Sequence, residues 1–416
     1  MSPLKSHQMK KITLLLATVL IITGFMSCSK DSAPQKNPET EARQNPIAIS
    51  AAIANNITDF SFYFMKNLQT EQPATDNIFV SPLSLHMALG MLVNGATRET
   101  KAEIMKALKT ENLSQTELNE TYKKLLKELP TADPKVKLAL ANSIWHKKDF
   151  SVEQSFLTQM KDYFSAEVLP LTTVDPVNKW ASDNTNGKIP KVLDKIDTNL
   201  VMLIMNALYF KGDWATQFET KNTADQNFKL ESGATKSVKM MNQRESFEYA
   251  SLADYTALRM PYGNGQFVAT LILPKEGKTI GNVFSGFDVA KWDELQNSLR
   301  KQTVIVGLPK FKFNQEFELN KTLQKMGMVR AFTPAAQLDG INKTEQLDVS
   351  FVKQNTFVGV DEVGTEAAAV TTIGIEVTSL PSYPLFICDK PFGFIISEKT
   401  SNTILFMGRI MRPEIK

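Results

Sequence analysis

The sequence predicts an α+β protein, on three observations. Helical signals dominate the first half of the chain. Continuous apolar runs of strand length dominate the second half. No repeat and no linker divides the body, so both kinds of element serve one core. In chain order, Ile53, Phe60, Phe64 and Leu68 fall on one face of an amphipathic helix, and Asn77-Ile78-Phe79-Val80 is a short apolar strand. Ser81-Pro82 then opens a second helix, with serine as cap and proline in the first turn. Residues 138–145 form a strand. The run 202–210 has the unbroken apolar character of a strand buried on both faces. Residues 267–274, 304–311, 385–388, 392–396 and 403–410 supply five more strands, and Gly263-Asn264-Gly265 is a hairpin turn ahead of the first of them.

Composition narrows the function. At 416 residues and 43% hydrophobic content, the chain suffices for one large domain or two ordinary ones. Lys+Arg 47 against Asp+Glu 44 leaves +3, too even a balance for a nucleic-acid binder. The histidines are His7, His86 and His146, and the cysteines Cys28 and Cys388. That scarcity weakens any metal site or catalytic triad, and neither a metal nor another cofactor is expected. There is no G-x-S-x-G elbow, H-E-x-x-H helix or C-x-x-C pair, so a hydrolase reading has no support.

The N-terminus reads as an export signal. Lys10 and Lys11 precede the apolar run 12–26, short for a membrane span and suited to a secretory leader. Phe25-Met26-Ser27-Cys28 resembles the end of a bacterial lipoprotein signal, although that pattern prefers Leu where Phe25 stands. The resemblance implies that residues 1–28 are the signal and that Cys28 is lipidated. Residues 29–50 are polar and read as a disordered tether, with 51–416 as the body. The expected location is a bacterial membrane, the protein being exported, anchored by lipid and monomeric. With Cys28 so used, no disulfide framework is expected.

Several stretches resemble one family in order and spacing. They are residues 77–85 (NIFVSPLSL), 185–189 (TNGKI), 206–214 (NALYFKGDW), 361–371 (DEVGTEAAAVT), 389–394 (DKPFGF) and 405–409 (LFMGR). Together they resemble the serpins from about residue 53 to the end. The resemblance implies three β-sheets, about nine helices, a metastable native state and an exposed reactive loop whose hinge holds Glu362, Gly364, Thr365, Ala367, Ala368 and Ala369. It also implies a sheet-opening region with Ser81, Ser84, Asn206 and Trp214, and with Gln354 where many members carry histidine. Read from the residues alone, Ser81, Ser84 and Asn206 are equally well caps and core polar groups.

The loop has a pattern of its own. Thr365, Ala367, Ala369, Thr371, Ile373, Ile375 and Val377 alternate along one face, with no charge and no proline among them. Glu366 and Glu376 fall on the other face. Such a segment can enter a sheet, and small residues lead. The expected function is suicide inhibition of serine proteases, with cysteine proteases as a second candidate class. The alternative is a non-inhibitory serpin acting as a surface binding protein, which bulky or charged residues on the inserting face would favour. Counting from the hinge sets the bait bond at Thr378–Ser379. Counting back from Asp389 gives Leu380–Pro381, and a bond before proline is a poor substrate. Val377–Thr378 is the next alternative, and Glu376–Val377 would suit a Glu-preferring enzyme. The apolar character of Val377, Thr378 and Leu380 suits elastase- or subtilisin-like enzymes, and Cys388 reads as a buried strand residue.

Overall fold

The computed structural model describes residues 45–365 and 383–415. The leader with Cys28, residues 29–44 of the tether, and the loop residues Ala367, Ala368, Ala369, Val377, Thr378, Ser379 and Leu380 lie outside them. The predicted tether ends earlier than expected. Asn45 exchanges two hydrogen bonds with the Gln266 amide, Ile47 N donates to Thr400 Oγ1 at 2.8 Å, and Ile47 is buried in the main core. Residues 45–47, expected in the tether, are thus attached to the body, and burial of the apolar Ile47 side chain favours that attachment.

In chain order the elements are α1 (Ala51–Leu68), β1 (Ile78–Val80), α2 (Pro82–Gly95), α3 (Arg98–Ala107), α4 (Gln115–Glu128), β2 (Val136–His146), α5 (Gln154–Phe164), β3 (Glu167–Pro170), α6 (Val174–Asn184) and β4 (Met202–Asp213). Then follow β5 (Ala224–Lys229), β6 (Thr235–Ser251), β7 (Tyr255–Pro261), β8 (Phe267–Pro274), α7 (Ile280–Ser285), α8 (Val289–Ser298), β9 (Arg300–Pro309), β10 (Phe311–Glu318) and α9 (Asn320–Lys325). The last are β11 (Lys353–Val360), β12 (Gly364–Thr365), β13 (Leu385–Ile387), β14 (Phe392–Glu398) and β15 (Thr403–Ile410). The α+β expectation holds, with nine α-helices among the described residues.

Local chemistry explains the predicted helices. Ser50 caps α1 by accepting from Ile53 N, and α1 buries Ile53, Ile57, Phe60, Phe64 and Leu68. Ser81 caps α2 by accepting from Ser84 N, with Pro82 in the first turn. The capping box of Ser114 and Glu117 starts α4.

The strands form two hydrogen-bonded networks. One runs β1-β15-β14-β8-β7-β6-β9-β13, with β5 also on β6; the other runs β10-β11-β12-β4-β2-β3. Two of the three expected sheets are thus continuous through β6. This 17-residue strand pairs with β5, then β9, then β7 along its length. The predicted strand 304–311 is two strands. It breaks at Lys310, where the chain leaves β9 in one network for β10 in the other, and Lys310 N donates to Lys239 O.

Helix α2 lies buried between the networks, in contact with β4 and β15. Its His86 is fully buried. The Tyr122 hydroxyl lies 2.7 Å from Nδ1, and Nε2 lies 3.2 Å from Leu108 O. Tyr122 comes so close to α2 at Gly90 that any Cβ there would collide with its ring. Burial lowers the His86 pKa to about 4, partly opposed by the Leu108 hydrogen bond. The unfolded chain therefore binds a proton near pH 6.5 that the folded chain refuses until about pH 4. Stability is full above 6.5 and falls as pH drops through that window, by up to about 3 kcal/mol. His86→Gln should flatten this slope. Urea melts of both proteins at pH 7 and pH 4.5 isolate the effect; equal acid losses would exclude it.

Candidate functional site

The site forms where β11 turns back on itself. Asp361 Oδ1 accepts from the backbone N–H groups of Val363 and Gly364, closing a tight turn. The chain then enters β12, which sets Gly364 opposite Asp213 and Thr365 opposite both Gly212 and Val360. Only glycine fits at 364, because a Cβ would run into the Gly212 carbonyl.

Three contacts hold this two-residue strand. Trp214 donates its backbone N–H to Val363 O at 2.8 Å and its indole N–H to Asp361 O at 3.0 Å. The same indole stacks on Tyr262 with ring centroids 4.5 Å apart. The Tyr262 hydroxyl in turn meets Thr365 Oγ1 at 2.6 Å, both fully enclosed. Burial pushes the Tyr262 phenol far up, with the Thr365 hydrogen bond pulling it back only in part. Below the turn, the Glu362 carboxylate takes Lys310 Nζ at 2.7 Å and Thr223 Oγ1 at 2.8 Å. Burial works to raise its pKa. The Lys310 hydrogen bond, a backbone bond, the Thr223 bond and the Lys310 charge outweigh that and hold it below the usual carboxylate range.

Beyond β12 the sheet is open. β4 and β11 flank it, both antiparallel to β12, but no described strand pairs with the inner edge of β4 over residues 202–208 or of β11 over residues 353–359. A cleft of about 210 Å³ lies between them, floored by Ser81, Ser84, Leu85 and Ala88 of the α2 region. The apolar run 202–210 is therefore not buried on both faces throughout. Residues 202–206 are half-exposed, with no described strand beside their inner edge.

The floor is polar at one level. Gln354 accepts from Ser81 N at 2.9 Å and donates to Ser81 O at 2.8 Å. Ser81 Oγ donates to Leu405 O at 2.7 Å and accepts from Ser84 N. Ser81 and Ser84 are therefore caps that also line the cleft. Asn206 lines the cleft too but bonds to neither. Its amide donates to Asn142 Oδ1 at 2.7 Å, Asn142 donates to Phe164 O, and the buried Asn206 Oδ1 has no partner among the described residues. Over the outer face, Trp145, Val177, Trp180, Leu193 and Ala207 form a separate small core beneath α6, and Phe351 reaches it from the β11 side. Lys188, just after α6, lies 5.0 Å above the Phe357 ring of β11. These last contacts tie the two lips together.

The family comparison bears on this arrangement directly. The model for serpin, serine protease inhibitor, matches residues 55–413. The chain belongs to the serpin family. The leukocyte elastase inhibitor of Xenopus laevis is 33% identical over 381 residues, covering 87% of this chain and 99% of that protein. The native crystal structure of the thermophilic serpin Tengpin superposes with TM-score 0.81 at 31% identity, covering 91% of this chain and 99% of that one. Human thyroxine-binding globulin in complex with its hormone superposes at 0.79 with 28% identity, over 87% of this chain and 98% of that one. Serpins are for the most part protease inhibitors and not enzymes.

Of the residues singled out from this serpin's sequence, the structure brings together Glu362, Gly364, Thr365 and Trp214 at the top of the sheet, and Ser81, Ser84, Asn206 and Gln354 around the cleft. Sequence reasoning missed Lys310, Thr223, Tyr262 and Asn142. Each acts across more than 50 residues of chain, and none carries a local signal. Lys310→Met would leave the Glu362 carboxylate buried without its cation. The expected result is a loss of about 1–2 kcal/mol from the uncut protein, largely restored by Lys310→Arg. Thermal melts of the two variants beside the parent check it; an unchanged midpoint for Lys310→Met would dismiss the pair as a hinge anchor.

Proposed function

We propose that this serpin traps serine proteases of small or medium apolar specificity, by acyl-enzyme formation at Thr378–Ser379 followed by insertion of the loop into the six-stranded sheet. The observation that carries this reading is the entry of Gly364 and Thr365 into the sheet as β12, between β4 and β11, whose facing edges no other described strand pairs further down. Continuing its register would set Ala367 opposite Phe210 and Val358, Ala369 opposite Leu208 and Thr356, and Thr371 opposite Asn206 and Gln354. The apolar face of the loop would then meet the main core, where Phe210 and Leu208 already pack. Glu366 would emerge on the outer face beside Lys211.

The chemistry belongs to the protease. Its serine oxygen attacks the Thr378 carbonyl carbon, the bond to the Ser379 nitrogen breaks, and that nitrogen leaves as a new amino terminus. Thr378 stays esterified to the enzyme. The freed hinge end gains backbone hydrogen bonds on both edges as it inserts, on the order of 10 kcal/mol for a dozen residues. While the loop is intact, tethering at Tyr383 withholds that gain kinetically. The protease is carried with the loop end, its catalytic geometry is disturbed, and water does not complete deacylation. Export and anchoring through a lipid on Cys28 fit this reading: a trap held at a bacterial membrane meets proteases outside the cytoplasm.

Thr365 is already seated against Tyr262 before any cut, so the discriminating position lies further along. Ala369→Arg would force a cation toward Leu208 and the core. Mixed with an elastase-type protease and run on a denaturing gel, the parent should give a boiling-resistant band at the summed mass. The Ala369→Arg variant should give mainly cut chain. A parent that is only cut, and whose cut form melts no higher than the intact one, would rule out the trap.

A further inference from the structure

We propose that the solvent face of β6, β9 and β13 is a second contact surface for the attacking protease, one that governs how fast the bait is engaged. This rests on the inhibitory reading above. Leu385, Ile305 and Arg244 stand in register across the three strands and so share one face. The next row, Phe386 and Val306, points the other way and is fully buried, which fixes the first row as outward. Leu385 is 66% exposed, more than any other large apolar side chain among the described residues. Arg244 is exposed, its guanidinium lies 5.6 Å from the Tyr383 ring centroid, and no described carboxylate pairs with it.

This is an unusual surface. β13 is a three-residue edge strand beginning two residues after Tyr383. Edge strands are ordinarily guarded by charge or covered by another element, yet here the edge presents leucine.

Chain length argues for the occupant. From Ser379 to Tyr383 is four residues of sequence, about 13 Å when extended. A protease domain of about 230 residues has a radius near 20 Å. An enzyme holding the Thr378–Ser379 bond in its active site must therefore overlie the start of β13. The partner chemistry follows from the row: an apolar spot on the protease for Leu385 and Ile305, and beside it an acidic group for Arg244. Stacking on Tyr383 preorganises the guanidinium, which lowers the entropy lost on contact. The surface belongs to the network that the loop does not enter. It acts on the encounter, not on the division between trapping and release.

The test uses Arg244→Glu and Leu385→Ser, singly and together, with Lys161→Glu on α5 as a remote charge control. Loss of intact chain is followed against an elastase-type protease, since this counts attack whether the acyl-enzyme is trapped or hydrolysed. The double variant should be attacked about 10–100-fold more slowly, with the parent's melting midpoint and its ratio of covalent band to cut chain. The Arg244→Glu share should shrink as salt rises from about 0.05 to 0.5 M, and the control should match the parent. An unchanged attack rate in the double variant overturns the surface, whatever the gel shows. A slowed attack with no covalent band in any protein leaves the surface standing and overturns the trap. No attack on the parent at all overturns both.

Discussion

The structure turns on two strand edges, of β4 and β11, that only β12 joins among the described residues. Backbone N–H and C=O groups need partners, and along most of β4 and β11 those on the inner side find none in a described neighbouring strand. Residues 202–206 stay half-exposed despite their apolar sequence. A chain segment that filled the gap would satisfy both edges at once. The turn at Asp361, the Trp214–Tyr262 stack and the Glu362–Lys310 pair aim one at it.

The remaining architecture divides into a frame and a part that can adjust. In the nine-stranded network every residue of β14 and β15 is buried, and β6 runs unbroken through what would otherwise be two sheets. Close packing on both faces leaves such strands no room to shift. The six-stranded network has instead a small core of its own on its outer face, built around Trp145 and Trp180 and separate from the main one. Separate cores can move relative to each other at lower cost than a single continuous one.

Much of this could be read from the sequence, for a physical reason. Strands buried on both faces, such as 267–274 and 403–410, must be apolar throughout and announce themselves. β6 does not: its 17 residues face core, solvent and partner strands in turn, and Thr235–Ser251 shows no clean period. The break at Lys310 was hidden because both flanking strands are apolar and only the change of sheet separates them. Gln354 was legible as a neighbour of Ser81, while Asn206 turned out to bond Asn142, a residue with no mark in the sequence. The cleft lies between segments some 150 residues apart, and no local pattern encodes which strands come to flank it.

The hydrogen bonds also indicate which lip of the cleft can yield. β11 is fastened to the frame: Gln354 clamps Ser81 at two points, Thr356 Oγ1 donates to Phe79 O at 2.6 Å, and β10, its ladder partner, is held through Gln315 to Asn77 and Phe79. Ser81 is itself tied to Leu405 of β15. Moving β11 would therefore break bonds that reach the buried network. β4 is tied differently. It travels with β2 and β3, to which it is joined by a ladder along its whole length, and with the small core under α6. Its polar link at cleft level, Asn206 to Asn142, stays within that same group of strands. Opening by displacement of β4, β2, β3 and α6 together would part the Lys188–Phe357 and Phe351 contacts across the gap, and would also slide Leu208 and Phe210 of β4 and Leu138 and Ile144 of β2 against the main core. The polar ties thus set β11 as the better fastened lip, the one able to keep the register of a strand entering beside it.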